Sequence, residues 1–587
     1  MKKIICLLLS LLAVFSSFLM VGCGKNKVNY NPDNFIADVN NPKIVKEKVT
    51  IKFFVPKAAI HGNWEDMLIF KKMEERTNIH IEFEQVPLAS YDDKRGLKWE
   101  SKNDMTDAFF TCNNKDEVTQ YAALGALTPF NSDDASDEYS GNYGNLIEKY
   151  MPNYKKWMEK YDEISLYTTQ RDGNIYSLCS INTEYGGVST QYLNEKWLKK
   201  TDWYGENKRL PETIEELEII LTEFKEKDMN GNGNKNDEIP LSYISGDSTV
   251  NFMMSAYGLV GTGIELDTRK QIYDSNKKTF IDNPTYDQII WVPSTEAYRN
   301  YVKTANKWYN EGLIDQYIFE NTSSSLSQLG HEGVLGCFAS GGAYLVVGED
   351  KVDDYVAIGP LTSAVNKEKF WYEYSYQFDP TILVIPATSP YKREIARWID
   401  VFYDEANVAL QSYGEEGVNW VWDNSENGVT ANGEEDTWHF VVPDGVERET
   451  YRATLTYNAG LGACILQTDW NMRESTPVQA RVFKDRATYK DYLKPFMPSM
   501  IYTTEQMTKI GIVEAAMSTV TSGVAYFIKG GTSGYNVNSD SDWNAYVAKM
   551  DTVGNYEIKG YKKLVEQYQQ AYDFYKSKKG NNRWKTE

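Results

Sequence analysis

The 587-residue chain has four histidines, six cysteines and no excess of positive charge. His61, His80, His331 and His439 are spaced in a way that suggests no shared metal site, so each reads as an ordinary surface or core histidine. The cysteines never fall at CxxC spacing, which removes zinc knuckles and thioredoxin-like redox motifs. With 83 acidic against 62 basic side chains the net charge is −21. Such a surface repels phosphate backbones and gains nothing from counterion release, which argues against a nucleic-acid binder. Also missing are a GxxxxGK[ST] phosphate loop, a GxSxG nucleophile elbow and an HExxH zinc helix. A glycosidase carboxylate pair leaves no spacing signature in a sequence, because its two members need only be close in space. Beyond the first 22 residues no segment approaches the run of about 18 apolar residues that a membrane span needs.

What is present is ample core material: 42% of residues are hydrophobic and 14% aromatic. A chain of this length supports roughly two to four domains. Within the aromatic class, 42 Tyr and 15 Trp outnumber 23 Phe. Tyr and Trp join a flat apolar face to a hydrogen-bonding tip, which suits a surface that holds something both apolar and polar, as a sugar is.

Lys2 and Lys3 precede an apolar stretch from Ile4 to Val21, followed by Gly22, Cys23 and Gly24. A basic start, an apolar middle and a small-residue exit describe a secretory signal over residues 1–22. Leu19-Met20-Val21-Gly22-Cys23 resembles the bacterial lipobox, in which the cysteine becomes the lipidated first residue; a plain signal peptide or an uncleaved anchor would share the apolar stretch. The expectation is a protein outside the cytoplasmic membrane, tethered by lipid on Cys23, with polar residues 23–47 as a flexible tether. In that compartment Cys112, Cys179, Cys337 and Cys464 could form one or two disulfides or remain buried thiols.

The body begins with a β-rich run, Lys48 to Pro56, then an amphipathic helix over about Glu65 to Thr77, a second strand from His80 to Val86, an apolar run from Asp107 to Cys112 and a helix from about Lys115. Strand and helix in alternation predict an α/β fold with a parallel sheet. The alternation returns later around helices from Glu212 to Lys227 and from Glu296 to Asn310, a buried-type strand TILVIP at Thr381 to Pro386, and a last helix from Tyr561 to Tyr575.

One motif carries explicit chemistry. Residues 228–240 read DMNGNGNKNDEIP, placing Asp228, Asn230 and Asn232 at alternate positions with glycines between them. Calcium takes six to eight oxygens, and a loop supplies them at every second residue when glycines let it curl. Asn234 would contribute its carbonyl, and Asn236, Asp237 and Glu238 would close the shell. Closure falls one residue short of a standard EF-hand, so its geometry must differ. A polar Asn-Gly turn without metal is the alternative. If calcium binds, its role is to pin the loop.

The run Pro211 to Ser242, PETIEELEIILTEFKEKDMNGNGNKNDEIPLS, resembles the large lipoprotein solute-binding proteins of ABC importers, the family 1 carbohydrate group with alginate-binding and LplA-like members. There a PxTxxE helix leads into a calcium loop ending in DEIP; this loop is one residue longer than the commonest form, which leaves Asn236 against Asp237 open as a ligand. DGNIYSL at Asp172, YLNEKWL at Tyr192, WYNEGLIDQ at Trp308 and ARWIDVFYDEANVALQSYGEEGVNW at Ala396 continue the similarity in order.

The resemblance implies a two-lobe type II periplasmic-binding-protein fold with hinge crossovers. One lobe would comprise residues 48–179 with 356–420, the other 180–355 with 421–587. It implies a monomeric, non-enzymatic binding protein that captures an oligosaccharide between its lobes and delivers it to separate permease subunits. Strand-end loops build such clefts. They select Trp64, Asn113, Asn114, Glu184, Tyr185, Ser340, Tyr344, Trp371, Tyr374, Phe378, Trp420 and Trp422, the aromatics to stack on sugar faces and the polar groups to bond hydroxyls. A neutral glycan is the expected ligand. A secreted glycoside hydrolase, or a glycan sensor or adhesin lipoprotein, would be the competing readings.

Overall fold

The structure is a computed structural model that describes residues 30–581, apart from 102–103, 138, 140, 183–188, 245–250, 374–377, 424–436, 460, 467–476, 496 and 557. The expected signal segment and Cys23 therefore lie outside the described residues.

Ten strands build the two main sheets: β1 (Val49–Lys57), β2 (Ile79–Pro87), β3 (Ala108–Phe110), β4 (Leu178–Asn182), β5 (Thr190–Asn194), β6 (Ile239–Leu241), β7 (Leu335–Ser340), β8 (Tyr355–Ile358), β9 (Phe378–Val384) and β10 (Ile465–Leu466). A six-stranded sheet has the order β10-β4-β9-β3-β1-β2, and a four-stranded sheet the order β8-β5-β7-β6. The opening β1-β2-β3 unit is parallel, as the alternation predicts. Both sheets are nevertheless mixed. β9 runs antiparallel to β3 and β4, and β5 antiparallel to β7 and β8, because the chain enters each sheet again from the other lobe rather than through a helix of its own.

Each sheet has its own core. In the first, β1 is buried on both faces, and Phe53, Phe110, Trp398, Phe402 and Tyr457 interlock around it. In the second, the helix Ile214–Glu226 presents Leu217, Ile220, Leu221 and Phe224 at helical spacing and joins Trp308, Val513 and Met517 in a separate cluster. Contrary to the sequence expectation, the stretch Thr504–Lys529 is long and apolar enough to cross a membrane by length and composition. Its Val513 and Met517 face the second core, while Thr504, Thr508, Glu514 and Ser518 are exposed.

Three segments sit differently from the sequence expectation. Residues 30–47 are docked rather than a free tether: Phe35, Ile44 and Val45 are buried, Tyr30 donates to Glu394 at 3.0 Å, and Arg397 donates to the Asn41 carbonyl at 2.6 Å. β8 pairs with β5 in the second sheet, although the expected division puts residues 356–420 in the first lobe. β10 pairs with β4 in the first sheet, and Tyr457 and Cys464 lie in the first core, although 421–587 was expected in the second lobe. Cys179, Cys337 and Cys464 are buried free thiols, and Cys112 is free and partly exposed.

Candidate functional site

The strand directions locate a candidate ligand-binding edge on each lobe. β1 and β3 end, and β9 begins, at one edge of the first sheet, where β4 also ends. In the second sheet the corresponding edge holds the start of β5 and the ends of β6, β7 and β8. The chain passes from β4 at Asn182 to β5 at Thr190, and returns from Glu373 to Phe378, at these edges. Strand ends from both sheets thus border the region between the lobes, the position at which open α/β sheets bind ligands.

On the first-lobe edge the turn after β3 is strained. Thr111 (φ 63°) and Cys112 (φ 49°) are successive non-glycine residues in the left-handed region. A β-branched residue there is an outlier, and each such residue costs on the order of 1 kcal/mol. The turn is held by two bonds to β9, Thr111 N–H to the Ile382 carbonyl (2.6 Å) and Asn113 N–H to the Thr381 carbonyl (3.0 Å). Arg95 braces it further, donating to the Cys112 carbonyl and to Glu117, both at 2.7 Å. Asn113 is buried; its amide nitrogen donates to the Phe109 and Thr381 carbonyls, while its Oδ1 has no partner. Burial raises the Asp379 carboxyl on the adjoining strand, against the lowering effects of a Thr381 hydrogen bond and of Lys115.

On the second-lobe edge, Gln191 is buried at the start of β5. Its amide nitrogen contacts the Cys337 sulfur at 3.0 Å, and its Oε1 has no partner. The Gln191 N–H donates to the Tyr489 hydroxyl at 2.8 Å, which donates in turn to the Ile358 carbonyl. Beyond β7, Ser340 is half-buried and its hydroxyl accepts from Gly342 N–H at 3.4 Å; Tyr344 begins the next short helix and is also half-buried. Arg486 donates to the Gly341 carbonyl at 3.2 Å, leaving its Nε buried without a partner. A buried acceptor or donor left unmade costs about 1–3 kcal/mol, so Asn113, Gln191 and Arg486 are groups that a polar ligand or ordered water would satisfy.

The expected aromatic platforms are mostly elsewhere. Trp64 is fully buried, stacked on Phe70 with centroids 5.5 Å apart and an interplanar angle of 12°. Trp371 is buried against Tyr489 at 4.3 Å, Phe378 against Tyr161 at 5.1 Å, and Trp420 in a cluster with Trp438 and Tyr413, its indole N–H given to the Gly414 carbonyl at 3.1 Å. A ring buried on all sides offers no face to a sugar, so these four are corrected to packing residues. Trp422 is half-buried beside Trp420. Asn114 caps the helix Lys115–Ala123, accepting from Asp116 N–H (2.8 Å) and Glu117 N–H (3.2 Å). Glu184, Tyr185 and Tyr374 lie outside the described residues. Gln191 and Arg486, missed from the sequence, carry no local signal: one sits inside an ordinary strand pattern, the other in a helix.

Far from this edge, at the other end of the helix Ile214–Glu226, the Asp228 loop is curled as its glycines allow, with Gly231 and Gly233 at φ 80° and 87°. Asp228 accepts backbone N–H groups of Gly231 (2.7 Å), Asn232 (3.1 Å) and Gly233 (2.8 Å). Asn230, Asn232 and Asn234 each accept from the N–H two residues on. Glu238 is buried and accepts Met229 N–H at 2.8 Å. Its second oxygen and the Asp237 Oδ1 are buried without partners. Two orphaned carboxylate oxygens on a loop of amide and carboxylate oxygens fit a hard cation. Among the described residues no group of three His, Cys, Asp or Glu side chains could hold a metal, so amide and carbonyl oxygens would have to complete the shell.

No family model matches the chain. The fructooligosaccharide ABC transporter substrate-binding protein FusA of Streptococcus pneumoniae is 24% identical over 578 residues, 95% of this chain and 98% of its own. The structure of FusA in complex with kestose superposes with a TM-score of 0.65 at 22% identity, covering 90% of this chain and all of that one. The chain is a homologue of FusA with the two-lobe solute-binding fold. An HMO-binding ABC-transporter-associated solute-binding protein from Bifidobacterium longum infantis shares the fold at TM-score 0.69 and 18% identity, covering 90% and 99%. Lipoprotein LipO of Bacillus subtilis is 22% identical over 272 residues, 46% of this chain and 45% of its own. An EF-hand mutant of FusA has also been solved, with fructo-nystose bound. FusA is a substrate-binding protein and the Bifidobacterium neighbour a solute-binding protein.

Proposed function

We propose that this protein is the substrate-binding lipoprotein of an ABC importer, capturing an extracellular oligosaccharide between its lobes and presenting it to membrane permease subunits. The reading rests above all on the end-to-end similarity to FusA, 95% of this chain against 98% of the relative. Buried orphan groups at the facing strand ends add to it, since Asn113 and Gln191 offer acceptors and Arg486 a donor to sugar hydroxyls.

In this reading the protein is a monomer lying outside the membrane with lipid on Cys23. Its lobes divide by their cores: residues 30–182 with 378–466, and 190–373 with 477–575. Hinge closure brings the two orphan sets onto one ligand, and a sugar lacking the matching hydroxyls is rejected because the buried groups stay unpaired. Asp228, Asn230, Asn232, Asn234 and Glu238, with Asn236 or Asp237, hold a structural calcium ion. When bound, the ion neutralises the clustered carboxylates and fixes the loop.

Calorimetric titration against kestose, longer fructans, milk oligosaccharides and alginate oligomers, with mass analysis of each sugar afterwards, tests the reading. Saturable binding without cleavage supports it. Turnover of any glycan would instead assign the hydrolase reading.

A further inference from the structure

The second lobe holds a local reversal of the overall charge. A cavity of about 550 Å³ is lined by Lys270, Lys367, Lys369 and Lys494, together with Thr213, Thr362 and Tyr492. The whole chain carries 83 acids against 62 bases, so four lysines around one cavity run against its composition.

Nothing nearby cancels them in pairs. Among the described residues, no carboxylate comes within ion-pair distance of any of the four. Lys369 lies over the Tyr492 ring at 5.5 Å and Lys494 over the Phe370 ring at 5.3 Å. Lys367 donates to the Ser363 carbonyl at 3.2 Å. Ring faces and a carbonyl hold an ammonium group in place without removing its charge. Of the acids in the neighbouring helix turn, Glu216 is paired with Arg209, and Glu215, which accepts Ala364 N–H at 3.0 Å, is not part of the cavity lining. Glu212 and Glu368 also line the cavity, so four positive charges face two negative ones. Thr213, on the cavity wall, is the N-cap of the helix Ile214–Glu226, whose positive end adds to the same field.

We propose that this cavity is a binding site for a phosphate group. A neutral glycan would leave the lysines uncompensated. Lysine ammonium groups act as point charges on flexible stems, and several can converge on the oxygens of one compact multi-oxygen anion. The excess of two positive charges suits the one to two negative charges that phosphate diesters and monoesters carry near neutral pH. The phosphate can arrive on a soluble compound or on the headgroup of an anionic lipid in the membrane beside which the proposed function places the protein.

The full mature chain is titrated with inorganic pyrophosphate by calorimetry and co-sedimented with phosphatidylglycerol vesicles, using phosphatidylcholine vesicles as the neutral reference. Binding of pyrophosphate alone assigns a soluble ligand; vesicle binding that pyrophosphate displaces assigns a lipid headgroup; both support the site. The quadruple variant K270Q/K367Q/K369Q/K494Q should weaken whichever is observed by about tenfold or more, and added salt should weaken the wild type. The E212Q/E368Q variant removes only the opposing charge and should tighten binding several-fold, which keeps the test open if the lysine variant folds poorly. Absence of both kinds of binding, or an affinity unchanged in both variants, overturns the proposal. Oligosaccharide affinity is measured alongside, and its failure would count against the proposed function without touching this site.

Discussion

The indole N–H of Trp64 donates to Nδ1 of His61 at 3.3 Å, and the other ring nitrogen of that histidine meets the Ala459 carbonyl. The pair fixes His61 as the neutral tautomer with its proton on Nε2. Burial lowers its pKa, opposed by the Ala459 carbonyl. The His61–Ala459 contact, with Trp64 behind it, joins the loop after β1 to the segment before β10, two parts of the first lobe nearly 400 residues apart in sequence.

Replacing Trp64 with alanine should therefore damage the fold and spare the binding site. The variant loses a fully buried indole and leaves Nδ1 of His61 unpaired, for a loss of about 3–5 kcal/mol. Denaturant unfolding should register that loss. Ligand affinity of the folded fraction should stay within about twofold of wild type, whereas a tenfold drop would return Trp64 to the cleft.

Calcium should act on stability through the Asp228 loop. Saturating a site at 100 to 1,000 times its dissociation constant raises stability by about 3–4 kcal/mol, so chelation should lower the melting temperature by several degrees. D228A and E238Q should each melt near the chelated wild type and show no further response to chelator. The loop lies at the far end of its helix from the cleft edge, so sugar affinity should change little. An unaltered melting curve after chelation would leave the loop a polar turn.

Period and composition marked β1, β2, the helix Ile214–Glu226 and the Asp228 loop in the sequence, because each is specified by neighbours within a few residues. The mixed order of the sheets was not legible: β9 and β10 join the first sheet from distant segments, and no local pattern states which strand they meet. The aromatic candidates failed for a related reason. A tryptophan at a strand end seals a core or faces a cleft according to what packs over it, and Trp64, Trp371 and Trp420 are all covered. Gln191 and Arg486 gained their interest only from partners that the fold withholds.

Glu265 makes the pH response of the second lobe testable. It is buried, accepts Gly261 N–H at 2.9 Å and contacts Val260 N–H, and burial pushes its carboxyl up to about 8 despite the opposing influence of Arg269. A raised carboxyl means the folded state holds a proton that the unfolded chain releases near its ordinary value. Stability from this group is present at low pH and lost as pH climbs through about 8. Unfolding of wild type and E265Q between pH 5 and 9 should diverge in favour of the variant, by a few kcal/mol at most. Parallel profiles would show that Glu265 ionises freely.

The lobes are also tied by their last helix, Tyr561–Asn581. Arg171, in the turn before β4, lies 4.1 Å over the Phe574 ring and donates to the Ile501 carbonyl at 3.3 Å, while Lys578 donates to the Thr169 carbonyl at 2.6 Å. Arg171 is exposed, so R171A should cost only about 1 kcal/mol of global stability. Its larger effect should be local: amide exchange over residues 561–581 should quicken several-fold, with exchange in β1 unchanged. Equal protection in both proteins would mean that the helix is held by its other contacts.

The cleft assignment is sharpest at Gln191, whose Oε1 is buried without a partner while its backbone is already secured by Tyr489. Gln191→Leu keeps the volume and the strand and removes the acceptor, so folding should be little affected or slightly improved. A sugar hydroxyl that relied on that oxygen would then be buried unpaired in the complex, weakening affinity about tenfold or more. The loss should be specific: an analogue deoxygenated at the contacting hydroxyl should bind wild type and variant alike, closing the cycle. If Gln191→Leu binds every glycan as tightly as wild type, Gln191 is a core group rather than a ligand contact, and the second-lobe contact falls to Arg486 and Ser340.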